Sequence, residues 1–288
     1  MNIQIKARGT KLEFPPHVLV LLSITSVQIG TAIAILMFHA IPAGGAAFFN
    51  AFFSTLMLGV FSLKFRLPRT YSAWTAAFGF GVIISGMFLT FFYAVERIPM
   101  AVASTIEFMG PLTLSVIMSR RPIHFIFIGM AIVGIALASP GFESSLDKVG
   151  LLFAFLSAVF WAAFIILSPI ISRLFEGESG LMAGMAFASL LTLPFLLSQI
   201  DIIMISPSVI FAEFLMAAFS TVLPLSLEYF ALRSMSARTF GVLVSLEPVA
   251  ATLIAFLVLS QPLESVMLIS ILVVTIAAIG ISLTDRSK

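Results

Sequence analysis

The sequence predicts an all-α integral membrane protein with ten transmembrane helices arranged as two inverted five-helix repeats. Three observations carry that expectation. Hydrophobic residues make up 60% of the 288 and charged residues 10%, against about a quarter charged in an ordinary soluble domain, and the mean hydropathy is +1.17. Apolar runs of spanning length follow one another with only short connections between them. A few acidic residues lie inside runs that otherwise exclude charge.

The first span, 17–38, follows Lys6, Arg8 and Lys11. It is too long for the apolar region of a signal peptide and closes on no small-residue cleavage pattern, so it is expected to remain in the mature protein. The others are 43–63, 73–94, 100–118, 122–139, 149–171, 180–199, 208–230, 238–259 and 263–284. Length makes them helices: about 20 residues at 1.5 Å each cross the hydrocarbon. A backbone facing lipid must bond to itself, and these continuous runs lack the alternation of barrel strands. Pro42, Pro99, Pro122, Pro207 and Pro262 fall at or near span starts, where a missing N–H does little harm. Gly129 and Gly134, with Ala277, Ala278 and Gly280, would let the last span of each half pack closely.

With the N-terminus in the cytoplasm, all but Arg97 and Lys148 of the 15 Lys and Arg fall on the cytoplasmic side, the skew expected of short loops. Both termini are then cytoplasmic. Ala94 to Pro111 and Ala231 to Pro248 share their terminal alanine and proline at one constant offset, and each stretch joins the third and fourth spans of its half. Five spans is an odd number, so the second half enters from the opposite side, as in many secondary transporters. The expected division is an N-terminal half at 1–138, a linker at 139–148 and a C-terminal half at 149–288.

Several function classes are excluded. No GxxxxGK[ST] loop is present and no soluble domain fits between spans, which argues against ATP-driven transport. No GxGD, GxSG or HExxH motif marks an intramembrane enzyme. There are no cysteines for disulfides or thiolate sites, and His17, His39 and His124 stand near span ends, so neither a metal nor another cofactor is expected. The pI near 9.2 reflects basic residues scattered over many loops, which fits topology better than nucleic-acid binding.

Glu107 in the fourth span and Glu247 in the ninth are the main candidates for chemistry. By the repeat offset Glu107 corresponds to Val244, so Glu247 stands three residues on, on nearly the same helix face. A charge at the bilayer centre costs at least about 2.5–3.5 kcal/mol, so each carboxyl must be protonated, paired or in water. Either both serve a central cavity as a proton-coupling or substrate-amine site, or each is a neutral acid tying helices together. Glu228, near the cytoplasmic end of the eighth span, either joins that site, snorkels, or pairs with Arg233. Glu213 is placed at the interface, and Glu96 with Arg97 forms an ordinary loop pair. Pro111 and Pro248 lie inside spans at equivalent positions and serve as hinges or static kinks. Gln28 and Asn50 either bind substrate or bond neighbouring helices. Trp161 lies too deep for the aromatic belt, and either stacks on a substrate or fills the core.

The stretches IEFMGPLTLSVIMSRRP, Ile106 to Pro122, and STVLPLSLEYFALRSMSARTFGVLVSLEPVAATL, Ser220 to Leu253, resemble the EamA-type exporters of the drug/metabolite transporter superfamily. They are most similar to the bacterial threonine/homoserine exporter branch. SVQIG at Ser26 to Gly30 and FWA at Phe160 to Ala162 add to the likeness. The resemblance implies a multi-pass carrier of the bacterial inner membrane that exports small amino acids or related metabolites with protons as coupling ion. Its central cavity would lie between the halves and work by alternating access. Glu107, Glu228, Glu247, Gln28 and Trp161 match the pattern. Asn50 replaces a frequent arginine, and MFLTFF at Met87 to Phe92 replaces a more polar MNYLFY-like stretch, which implies a less cationic, more apolar cavity. The alternatives are an exporter of apolar or cationic drug-like metabolites, or a passive channel or scramblase. The expected partners are a small-molecule substrate, protons and the bilayer; oligomeric state is not legible.

Overall fold

The computed structural model describes residues 15–61, 70–119, 123, 126, 127, 129, 130, 133, 147–175, 179–199, 205–232, 235, 240, 243–262 and 265–284. Among them no strand occurs. The helices are α1 (Pro16–Met37), α2 (Ala43–Phe61), α3 (Tyr71–Val95), α4 (Met100–Ser119), α5 (Lys148–Leu174), α6 (Ser179–Leu197), α7 (Pro207–Ala217), α8 (Leu223–Leu232), α9 (Glu247–Leu259) and α10 (Ser265–Thr284). A five-residue π turn, Ala218–Val222, joins α7 to α8 without a break. Among the described residues six stretches, α1, α2, α3, α5, α6 and the run Pro207–Glu228, are long and apolar enough to cross a membrane. The described part of the predicted fifth span is helical; the rest of it lies outside the described residues, as do Pro122, Gly134 and Arg233.

Helix starts follow the prolines. Pro16 and Pro207 occupy the first turns of α1 and α7. The carbonyls of Pro42 and Pro99 accept from Ala46 and Val102, both at 3.0 Å, one turn into α2 and α4. Pro111 lies inside α4, as expected. Pro248 does not lie inside a continuous ninth helix. Residues 245 and 246 form a turn, α9 begins at Glu247, and Pro248 sits in its first turn. The residue before a proline disfavours helical backbone, and at the start of a helix the missing N–H costs nothing. The unbroken apolarity of the span concealed the break.

Small residues bring the helices together. Ala43, Ala46, Ala47 and Ala51 of α2 are fully buried, and α2 packs on α6. A Cβ at Gly81 would meet the Phe187 side chain and the Gly184 carbonyl where α3 crosses α6. Close approach without side chains maximises dispersion where no hydrophobic drive exists between helices. Gly280 does the same beneath the Phe127 ring, whereas Gly129 faces open space and supports no packing. Ala277 is fully buried as well. Outward positions carry Val60, Leu190, Phe211 and Leu257, each more than 59% exposed, an apolar surface suited to acyl chains.

The packing between early and late helices has a regular form. α1 packs on α8 and α9, while α5 packs on α3 and α4; α3 packs on α6, while α7 packs on α2; α2 meets α6 directly, and α4 meets α9. Exchanging α1–α4 with α5, α6, the α7–α8 run and α9 leaves this set of partners unchanged.

Candidate functional site

Three glutamates converge where α1, α4, α5, α8 and α9 meet. Glu107 lies in the second turn of α4, Glu228 in the middle of α8, and Glu247 opens α9. Glu107 and Glu228 are both close enough to act electrostatically on Glu247. Each carboxyl is held by a different helix. Ser157 of α5 donates its hydroxyl to Glu107 Oε1. Ser23 of α1 donates to Glu228 Oε1 at 2.7 Å, and Gln28 of α1 donates through Nε2 to Glu247 Oε1 at 3.4 Å.

All three glutamate residues are partly rather than fully buried. Glu107 and Glu247 thus each combine a bond to a neighbouring helix with partial exposure, features of both sequence readings. Glu247 also stands in the first turn of α9, where the aligned peptide dipoles favour negative charge. The helix break before Pro248 therefore aims a helix N-terminus at the cluster, the arrangement seen where discontinuous helices line a binding site.

Trp161 is one helical turn past Ser157 on α5 and packs edge-on to Phe108, ring centroids 6.2 Å apart. It is partly exposed and borders the cluster without entering a sealed core. Gln28 is 1% exposed, with its Oε1 left without a partner.

Asn50 goes elsewhere. Its Oδ1 accepts from Thr221 at 3.0 Å, Ser220 at 3.3 Å and Ser54 at 3.5 Å, so it is spent on the π turn. A Cβ at Gly30 of α1 would collide with the Ser220 backbone there, and Ser26 donates to the Phe219 carbonyl at 2.6 Å. The π turn frees carbonyls from the regular ladder, and α1 supplies the donor. Sequence reasoning missed Ser23, Ser157, Ser220 and Thr221, since single hydroxyls recur throughout the spans.

Two further expectations need correction. Glu96 and Arg97 are not a pair: Glu96 Oε1 accepts from the Ala43 N–H at 3.3 Å, capping an orphan donor of α2, and Arg97 bonds to Asp147 at 2.9 Å. Glu213 is not interfacial: it is 0% exposed. Its depth along α7 was read correctly, but the α7 face bearing it turns inward.

The end of the molecule where α2 and α7 begin is thus tied by side chains. Besides the Glu96 cap, Gln199 Oε1 accepts from Gly45 N–H at 3.2 Å, and Asp147 caps α5 through Val149 N–H at 2.8 Å. The Asp147 carboxyl is held below its ordinary range, first by the Arg97 hydrogen bond and then by that N–H. A lowered folded-state value means stability present above the unfolded value and lost as pH falls through the folded one. Asp147→Asn is expected to lower the melting temperature slightly at neutral pH, the pair being exposed. The difference from wild type should close as the pH drops below about 4, read by thermal unfolding across an acid series; a constant gap at every pH would contradict it.

Comparison with known proteins follows this geometry. Residues 148–283 match the EamA-like transporter family. The chain is 30% identical over 275 residues to the threonine/homoserine exporter RhtA of Escherichia coli (strain K12), covering 95% of this chain and 93% of that protein. It is 27% identical to the protein of the same name from Salmonella typhimurium (strain LT2), with the same coverage. A solved crystal structure 18% identical in sequence superimposes with a TM-score of 0.64 over 93% of this chain and 98% of its own, a likeness of fold.

Proposed function

We propose that this chain, which belongs to the EamA-like transporter family, is a proton-coupled secondary carrier that exports small amino acids or related metabolites across the bacterial inner membrane. The observation that carries the reading is the convergence of Glu107, Glu228 and Glu247, from three helices, in a partly open cluster. Carboxyls in such a place can take either a proton or a substrate ammonium, and one group shared by both is the least that exchange requires. The RhtA relatives supply the substrate class.

Alternating access needs two bodies. The exchange-symmetric packing of the early and late helices supports two inverted halves, 1–138 and 149–288, joined by 139–148, with both termini cytoplasmic. Helix α5 starts at Lys148 with Asp147 as its cap, so the linker ends one or two residues earlier than the sequence suggests. In this topology the tied end is the outer face. Pro111 within α4 and the break before Pro248 sit beside Glu107 and Glu247, where small changes of helix direction would move the carboxyls.

A second reading, export of cationic metabolites, rests on one observation. Position 50 carries an asparagine held at the π turn through its Oδ1 rather than a cation, and among the described residues the cluster contains no cation to receive a substrate carboxylate. A thermal-shift panel of threonine, homoserine and their methyl esters on purified protein separates the two. A ligand at about 100 times its Kd adds about 2.7 kcal/mol, a rise of several degrees. Stabilisation by the free amino acids supports amino-acid export, stabilisation by the esters alone supports the cationic reading, and a flat panel of these and other small amines removes both.

A further inference from the structure

Glu213 is the buried acid for which the glutamate cluster has no use. It stands in the second turn of α7, has no solvent exposure, and neither carboxyl oxygen has a hydrogen-bond partner. The cluster acids differ on both counts, being partly open and bonded to Ser157, Ser23 and Gln28. Helix α7 packs on α1 and α2 and continues into the π turn. The titratable groups on those elements are few. His17 lies at the far end of α1, His39 is exposed beyond α1 in the connection to α2, and Glu228 is on α8; α2 and the π turn carry none. A sealed carboxylate with no counter-charge and no donor is among the costliest groups a protein can hold, so in this packing the side chain is the neutral acid.

Two features give that proton a way out. The acid lies two turns from the start of α7, the helix end that shares a side of the molecule with the Glu96 and Gln199 caps of α2, contacts exchangeable for water. Below it, the π turn interrupts the regular helix, and such turns are natural bending points. Tilting α7 about the π turn would lift Glu213 from between α1 and α2.

We propose that Glu213 is a second proton-binding site, separate from the glutamate cluster, that holds its proton while α7 is packed against α1 and α2 and releases it to the water of that face when α7 swings away. The carboxyl O–H bond breaks, the proton passes to water, and the carboxylate remains in a hydrated crevice. Opening of that face is then favoured by high pH on its own side. The site does not depend on which substrate is exported, and its test uses none.

The chain has no cysteine, so single thiols report cleanly. Met216, fully buried one turn along α7, is replaced by cysteine, and Ile205, 64% exposed just before α7, serves in a parallel variant as the open reference. Alkylation by a membrane-impermeant maleimide in proteoliposomes gives a Met216→Cys to Ile205→Cys rate ratio, and the same ratio in Glu213→Gln supplies the part due to thiol ionisation alone. From acid to alkaline pH the ratio is expected to rise about tenfold more with Glu213 present than in Glu213→Gln. A ratio that is flat in both, or rises equally in both, overturns the proposal. A second readout covers the case in which Glu213→Gln folds poorly. With Glu107, Glu228 and Glu247 all changed to Gln, the infrared carbonyl band of a protonated carboxylic acid should persist at neutral pH; its absence there also overturns the proposal. Neither outcome bears on the role of Glu107 or on the substrate.

Discussion

Glu107→Gln should abolish most proton-driven transport while leaving substrate exchange in place. Glutamine keeps the side-chain volume and still offers an oxygen to the Ser157 hydroxyl, so α4 and α5 stay in register. What it removes is the titration through which, in the proposed mechanism, proton and substrate compete. Uptake into inverted vesicles driven by a proton gradient is expected to fall by about 5- to 150-fold, the range of an ordinary coupling free energy of about 1–3 kcal/mol. Counterflow without a gradient should fall far less. Ser157→Ala is the informative companion, since it removes a donor and spares the acid: it should change the pH at which coupling is half-maximal without abolishing it. Glu247→Gln preserves the Gln28 contact through its own oxygen and is expected to resemble Glu107→Gln. Retention of full gradient dependence in both variants would move coupling to Glu228.

Gly110→Ala is the small change with a large expected cost in stability. A Cβ there would fall on the Ala158 carbonyl oxygen, a backbone atom of α5 that no rotamer change can move. The two helices would have to part beside Glu107 and Ser157. Overpacking of this kind costs about 1–3 kcal/mol, and Gly110→Val should prevent folding to a monodisperse species. Gly79→Ala in α3 is the matched control, since nothing lies within 4 Å of its Cβ. Relieving a helical glycine is worth up to about 1 kcal/mol, so that variant should melt at or above wild type. Equal melting of Gly110→Ala and wild type in the same detergent would show that α4 and α5 do not pack as described.

The spans were legible because bilayer thickness imposes a length that apolar runs report directly. Predicted 17–38, 43–63 and 100–118 became Pro16–Met37, Ala43–Phe61 and Met100–Ser119. Glu107, Glu228, Glu247 and Gln28 were legible because charge or amide in hydrocarbon demands a reason, and the structure gathers all four. Features set by which way a helix face turns were not legible. Glu213 has the depth of an interfacial residue, and only the lateral packing of α7 on α1 and α2 makes it sealed. Asn50 was expected either to bind substrate or to bond a neighbouring helix, and its Oδ1 accepts from Ser220 and Thr221, whose peptide geometry leaves no mark in composition. The break before Pro248 lay hidden, and the proline was placed inside one span as a hinge or kink, because Val244 and Leu246 before it and Val249 and Ala250 after it keep the run apolar.

The π turn also records something about ancestry. The run that starts at Pro207 carries a π turn at Ala218–Val222, which fits one residue more into a turn than an α-helix does, whereas α3, Tyr71–Val95, is regular throughout. If the two halves descend from one duplicated five-helix gene, the eighth span carries one codon more than its sibling, and the helix absorbed it by widening a single turn. The offset of 137 that aligns Ala94 with Ala231 then falls to 136 on the N-terminal side of Ala218, and Glu213 becomes the counterpart of Ala77, which is fully buried. Deleting Ser220 would undo that event, restoring an unbroken ladder at the expense of the Asn50 contact. On that alignment the half with the π turn is also the half with the sealed acid, so the two copies would differ most where a helix can bend beside a buried carboxyl.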